Sequence, residues 1–180
     1  MVVRRGNIVR PNLKGAPKTA QGAFHVHDLI HDSHQLQNAL EIRIVRADRA
    51  GTNLAVDVEV ENVGSGHMIP TGVPSREVVA TVEARIGKRV YRQERHYRKV
   101  VADANYQVLD QDYEMFMRGA KVLNDNRIRP RETRRERFTF FVPSSGRIEL
   151  RATASYVYTP MILKREMLKI RLGSAERVVY

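Results

Sequence analysis

Histidine is the residue type in this sequence best suited to chemistry, and four of the six histidines crowd one short segment. It reads Phe24-His25-Val26-His27-Asp28-Leu29-Ile30-His31-Asp32-Ser33-His34. A neutral imidazole binds Zn, Cu, Ni or haem iron through a ring nitrogen. His25 and His27, two apart, would share one side of an extended chain, while His31 and His34, three apart, would share one face of a helical turn. The pattern is neither cleanly helical nor cleanly strand-like, which predicts a loop or short helical turn. A solvated polar loop accounts for the same residues without any ligand.

A fifth histidine stands alone in Gly66-His67-Met68-Ile69-Pro70-Thr71-Gly72-Val73-Pro74-Ser75-Arg76. Glycines let this loop turn sharply, and prolines restrict the backbone after the turn. Either His67 is held out as a ligand, or its ring bonds main chain to hold the loop. A third group is Asp125-Asn126-Arg127-Ile128-Arg129-Pro130-Arg131-Glu132-Thr133-Arg134-Arg135. Its arginines suit a clamp for anionic groups, or simply a solvated connection. His96 falls in a predicted strand and is expected to be structural. No Gly-x-Ser-x-Gly elbow, P-loop, dinucleotide fingerprint or His-Glu-x-x-His occurs, and no acid/base pair of carboxylates is evident, so no enzymatic activity is expected.

The elements that must position these residues read as strands. From Ala39 the apolar period is two: Leu40, Ile42 and Ile44, then Leu54, Val56, Val58 and Val60, with Ala50-Gly51-Thr52-Asn53 between them as a hairpin. Val78, Ala80, Val82, Ala84 and Ile86 continue the pattern, followed by a strand near Tyr97–Ala102 and three more at Phe138–Val142, Ile148–Tyr158 and Leu168–Leu172. Residues 103–134 look irregular, with an amphipathic patch around Tyr113–Val122. The spacing predicts an all-β, immunoglobulin-like antiparallel sandwich of about 7–8 strands. Residues 1–38 would be an extended arm with the His-rich segment, and 39–175 the sandwich.

Composition narrows the chemistry further. The chain has 180 residues, no cysteine and no tryptophan, so it has no disulfide, no thiolate metal site and no Cys-x-x-Cys-His for covalent haem. The net charge is +11, and arginine supplies 24 of the 31 basic residues, which hints at an anionic partner: nucleic acid, acidic lipid or haem propionates. No apolar stretch is long enough to span a bilayer, and no signal peptide is visible.

The three groups together resemble the C-terminal β-domain of multihaem cytochromes c in the cytochrome c554-like group. Those domains run from a His-rich segment through an Ala-Leu strand to an Asn-x-Gly-x-Gly-His-x-x-Pro-Thr-Gly-x-Pro-x-Arg loop. An Asp-x-Arg-Ile-x-Pro-x-Glu-Thr segment and a Tyr-containing strand come after it. The counterparts are His25 to His31 with Ala39-Leu40, Asn62 to Arg76, Asp125 to Thr133, and Tyr156 with Tyr158. Asn126 and Arg131 stand where Thr and Gly are commoner. The resemblance covers about residues 24–160 in scattered blocks.

The resemblance implies a domain whose histidines serve as distal axial ligands to haems. Without its own attachment motif, this chain would be a separated, non-catalytic subunit lending histidines to haem c held covalently by a multihaem cytochrome c chain. His31 and His67 are the first candidates for binding the iron, then His25 and His27, then His34. Arg76, Arg127 and Arg129 would contact haem propionates or the partner. A hetero-oligomer or filament, in the periplasm or outside the cell, and no binding of nucleic acid are implied. The alternative is a basic nucleic-acid-binding β-domain, for which the net charge is the main support. A self-contained metal enzyme ranks behind both.

Overall fold

A computed structural model describes residues 3–5, 23–25, 36–158 and 167–180, the first two stretches as main chain only. His27, His31 and His34, and the side chain of His25, therefore lie outside the described residues. The chain divides into two units, Met1–Gln35 and Leu36–Tyr180. Within the first, β1 (Val3–Arg5) pairs antiparallel with β2 (Ala23–His25), Val3 standing opposite His25. His25, expected in a loop or turn, thus closes a short strand inside the span expected to be an extended arm.

The second unit is an antiparallel β-sandwich. One sheet has the order β11 (Leu168–Val179), β10 (Ile148–Tyr158), β5 (Arg76–Ile86), β6 (Arg89–Tyr97). The other has β3 (Leu40–Ala50), β4 (Asn53–Asn62), β9 (Thr133–Phe141). A two-stranded ribbon, β7 (Lys99–Ala102) with β8 (Lys121–Asp125), forms a small sheet of its own, and a short helix α1 (Asp112–Arg118) precedes β8.

The period of two builds the core. Leu54, Val56, Val58 and Val60 of β4 are fully buried, as are Val78, Ala80, Val82 and Ala84 of β5 opposite them in the stack. Ile148, Leu150, Ala152 and Ala154 extend the layer from β10, and Phe138 with Phe140 fill it from β9. Alanines in β5 and β10 leave room for the two phenylalanines, so the sheets close without tryptophan. Fully burying a side chain such as Leu54 or Phe138 contributes about 1.5–3 kcal/mol.

The open edges are covered by long polar side chains. From β6, Gln93 donates to the Thr139 carbonyl at 2.7 Å and Arg95 to that of Arg137 at 3.2 Å, occupying acceptors that a foreign strand would otherwise use. On the opposite edge Arg177 donates to the Val45 carbonyl at 3.3 Å.

Two expectations are corrected. The strand predicted near Tyr97–Ala102 is broken at Arg98, because the Asn126 side chain replaces a ladder partner there. It accepts from the Arg98 N–H and donates to the His96 carbonyl, both at 2.8 Å. Residues 103–134 are not irregular throughout, since they contain α1 and β8. The amphipathic patch around Tyr113–Val122 is the helix and the start of that strand.

Candidate functional site

The His67 loop leaves the end of β4, where Asn62 is fully buried. The Asn62 carboxamide donates to the carbonyls of His67 at 2.9 Å and Ile128 at 3.3 Å, and accepts from the Ser65 N–H at 3.1 Å. Its main chain is held too, donating to Glu132 at 3.1 Å and accepting from Arg131 at 3.0 Å. Two residues past His67, Ile69 and Ile128 exchange a pair of main-chain bonds of 2.9 Å each. The loop is therefore fastened at both sides of His67 to the distant segment Ile128–Glu132.

The His67 side chain itself is exposed. Its Nδ1 lies 3.1 Å from the Met68 carbonyl oxygen and 2.9 Å from Ser65 Oγ. A carbonyl oxygen only accepts, so the Met68 contact assigns the proton to Nδ1. In the Nδ1–H tautomer Nε2 carries the lone pair, with the Ser65 hydroxyl at 3.3 Å as its one hydrogen-bond neighbour among the described residues. A ring fixed through Nδ1–H to a main-chain carbonyl, with Nε2 unprotonated, is the form in which histidine ligates a metal. The ring is thus bonded to main chain within its own loop, which is one of the two readings of His67 that the sequence offers.

Arg76 closes the loop from the first position of β5. Gly72 has φ +84°, a left-handed conformation that favours glycine, and a Cβ there would come within 2.6 Å of Arg76 Nη1, so the flexible end of that side chain would have to give way. Arg76 donates to the Thr71 carbonyl at 3.3 Å and stacks 5.2 Å from the centre of the Tyr158 ring. The Tyr158 hydroxyl donates to buried Asp112 at 3.4 Å, the first residue of α1. Burial, then the Asp112 charge, pushes the Tyr158 phenol up from its ordinary value. Arg76 is thus engaged within the chain, tying the loop to β10.

Arg127 and Arg129 flank Ile128, and so border the His67 loop at the Ile69 bridge. Arg127 makes a bidentate pair with Asp125, both contacts at 2.7 Å, which holds the Asp125 carboxyl below the usual carboxylate range. The Arg129 side chain is exposed and has no partner among the described residues, while its N–H donates to Glu132 at 2.7 Å. Of the three arginines expected to meet a partner, Arg129 is the one presented freely.

The amphipathic patch read from the sequence around Tyr113–Val122 forms an exposed apolar surface beside this loop. On α1, Tyr113, Phe116 and Met117 are 52%, 76% and 83% exposed, and Val122 and Leu123 of β8 and Val108 continue the exposed patch. The i, i+3, i+4 spacing of the three helical residues was the available signal. The patch is held to the loop region by defined contacts. Arg118 pairs with Asp103 at 2.8 Å, β8 runs directly into Asp125–Ile128, and a shallow depression of about 180 Å³ between Ser75, Lys99, Leu109 and Met115 separates loop from ribbon. What sequence reasoning missed is buried Asn62 as the fastening of the loop.

His96 lies on β6 with Nδ1 3.0 Å from Glu77, a surface pair within the sheet. Among the described residues no three His, Asp or Glu side chains converge to hold a metal, and no helix is long and apolar enough to cross a membrane.

No protein family matches the chain, and neither does any curated protein. Among solved structures the chain is similar to a penta-haem cytochrome c552 from Thermochromatium tepidum, with a TM-score of 0.65 and 16% identity. The match covers 88% of this chain and 44% of that one, so the chain spans less than half the length of the cytochrome. A Northeast Structural Genomics Consortium target aligns over 78% of this chain and 87% of its own, with 11% identity and a TM-score of only 0.26. The first likeness is one of fold, and it places this sandwich among architectures found in a multihaem protein.

Proposed function

We propose that the chain is a non-catalytic subunit of a multihaem cytochrome c electron-transfer assembly in the periplasm or outside the cell. It docks by its His67 end on a chain that carries haem c covalently, and presents His67 as a distal axial ligand. The observation that carries this reading is the exposed His67 ring, whose Nδ1 lies 3.1 Å from the Met68 carbonyl oxygen, a contact that leaves Nε2 as the nitrogen for a metal in the Nδ1–H tautomer. The fold shared with the penta-haem cytochrome supports it, as does the meeting of three sequence blocks at one end: Asn62–Arg76, Asp125–Thr133 and Tyr158.

A bis-imidazole haem supplies low-spin, one-electron transfer. The part played by this chain is to hold the imidazole in place, cover the haem edge with the exposed apolar surface of α1 and β8, and meet propionates with Arg129. His31, then His25, His27 and His34, are the further ligands this reading assigns to the N-terminal unit. The assembly is a hetero-oligomer or filament. Nucleic-acid binding is the weaker reading, because arginines on the sandwich faces are engaged: Arg43 with Glu61 at 2.9 Å, Arg135 with Glu59 at 2.8 Å, Arg137 with Asp57 at 2.6 Å and Arg151 with Glu176 at 2.6 Å.

The test is isolation of the native complex through this chain, haem staining of its separated subunits, and a visible spectrum. Haem on a copurifying chain and none on this one is expected, with His67→Ala turning one low-spin haem high-spin. A complex without haem would overturn the reading. Unchanged spectra in His67→Ala would remove His67 as the ligand.

A further inference from the structure

The turns at the other end of the sandwich form a second surface of distinct chemistry. Three of them gather there: β3–β4 at Gly51-Thr52, β5–β6 at Gly87-Lys88, and the β9–β10 connection at residues 142–147. They are tied together, since the Val142 N–H donates to the Thr52 carbonyl at 2.7 Å, and Arg49 donates to Gly146 at 2.7 Å and also to Pro143. Arg85, Lys88 and Arg89 are exposed at this end and make no ion pair among the described residues. Glu149, which stands opposite Arg85 in the ladder, pairs instead with Arg147 at 3.3 Å. On the two sheet faces, by contrast, arginines alternate with carboxylates that neutralise them.

Beside these cations sit large apolar side chains left open by the described residues. Phe141 is 74% exposed and Val90 is 47% exposed. The contacts Gln93 to Thr139 and Arg95 to Arg137 run in opposite directions along β6 and β9, which sets Phe141 level with Tyr91 at this end, while Val90 stands opposite Arg85 in the β5–β6 ladder. The hairpin tip thus carries an exposed aliphatic residue among cations that make no ion pair among the described residues, and an exposed aromatic lies at the same end of the sandwich.

We propose that this end docks on an anionic lipid bilayer, with Lys88, Arg89 and Arg85 against headgroup phosphates and Phe141 with Val90 in the interfacial layer. A flat surface can meet all three turns at once. An aliphatic residue next to the cations gains from a lipid interface, whereas phosphate-backbone binding has no use for it. Aromatic rings also favour the headgroup level. The site is independent of the His67 end, so one sandwich can contact a membrane and a protein partner at opposite ends.

The chain's lack of tryptophan makes the test direct. Full-length Phe141→Trp carries a single Trp reporter at an exposed position, to be mixed with phosphatidylglycerol/phosphatidylcholine vesicles and with phosphatidylcholine alone. A blue-shifted emission with the anionic vesicles only, reversed by high salt, is expected. Lys88→Gln/Arg89→Gln should weaken co-sedimentation of the otherwise unaltered chain about 30-fold, from a contribution of roughly fivefold per cation near an anionic surface, at unchanged Tm. No co-sedimentation, equal binding to neutral vesicles, or unchanged binding by the double variant would each overturn the proposal. So would capture of DNA through Lys88 and Arg89 without any vesicle-induced shift of the reporter.

Discussion

The buried side chain of Asn62 donates to the carbonyl oxygen of His67 at 2.9 Å, so the last residue of a core strand sets the position of an exposed histidine five residues on. The same amide reaches Ile128, which joins the histidine loop to the segment that carries Arg127 and Arg129. One carboxamide in the core thereby fixes the geometry of a surface.

Asn62→Ala should expose that dependence. Three hydrogen bonds are lost and two carbonyls at least partly shielded from water lose a donor, a cost of about 2–3 kcal/mol. For a chain of this size that corresponds to a fall in Tm of roughly 5–10 °C. Calorimetry measures the shift. A fall of under about 1 °C would mean that the Ile69–Ile128 bridge alone holds the loop.

Gly72→Ala tests the other side of the loop. The alanine would have to hold φ +84° and would meet Arg76 Nη1 at 2.6 Å, so the guanidinium has to move relative to the Tyr158 ring. The left-handed conformation alone costs about 1–2 kcal/mol. A lower Tm is expected together with a changed Tyr158 environment in near-ultraviolet circular dichroism. An unaltered spectrum would show that Arg76 does not depend on Gly72.

The apolar surface makes a separable prediction. Phe116→Ser/Met117→Ser alters residues that are 76% and 83% exposed, so the fold should lose no more than about 0.5 kcal/mol. Affinity for the haem-carrying partner should fall by at least about tenfold, because exposed aromatic and Met side chains supply the contact area at interfaces. Titration of the isolated partner with wild-type and variant chains measures the ratio. Equal affinities would place the docking surface away from α1.

The sandwich was legible because its signal is local. Leu54, Val56, Val58 and Val60 alternate with charged or small residues, and all four are fully buried in the register that their spacing predicts. The His67 loop was legible as a loop for the same reason, through its glycines and prolines. The fastening of the ring was not, since Asn62 acts across 66 residues to Ile128, and no local pattern marks a buried amide as a clamp. Helix α1 was hidden similarly. It has only seven residues and no side-chain N-cap bond, and its stay is Asp112 against Tyr158, 46 positions on. A helix that short draws its stability from such contacts rather than from propensity.

Acid should lower stability through carboxylates that are held ionised in the folded chain. Asp125 is held below the ordinary range by the Arg127 guanidinium, and Asp103 by the N–H groups of Gln107 and Asn105 with Arg118 beside them. A carboxyl whose folded pKa is depressed binds its proton more weakly when folded. Its contribution is therefore complete above the unfolded value, about 3.9, and is lost as pH falls through the lower folded value. Tm should stay level from neutral pH to about 5 and then drop. Asp125→Asn gives up this contribution at every pH. Its Tm should lie below wild type at pH 7, with the gap closing as both are taken toward about pH 2, where the wild-type carboxyl is protonated as well. A gap that stayed constant over that range would mean that the substituted amide lowers stability by altered packing, and that the Asp125–Arg127 pair adds nothing as an ion pair.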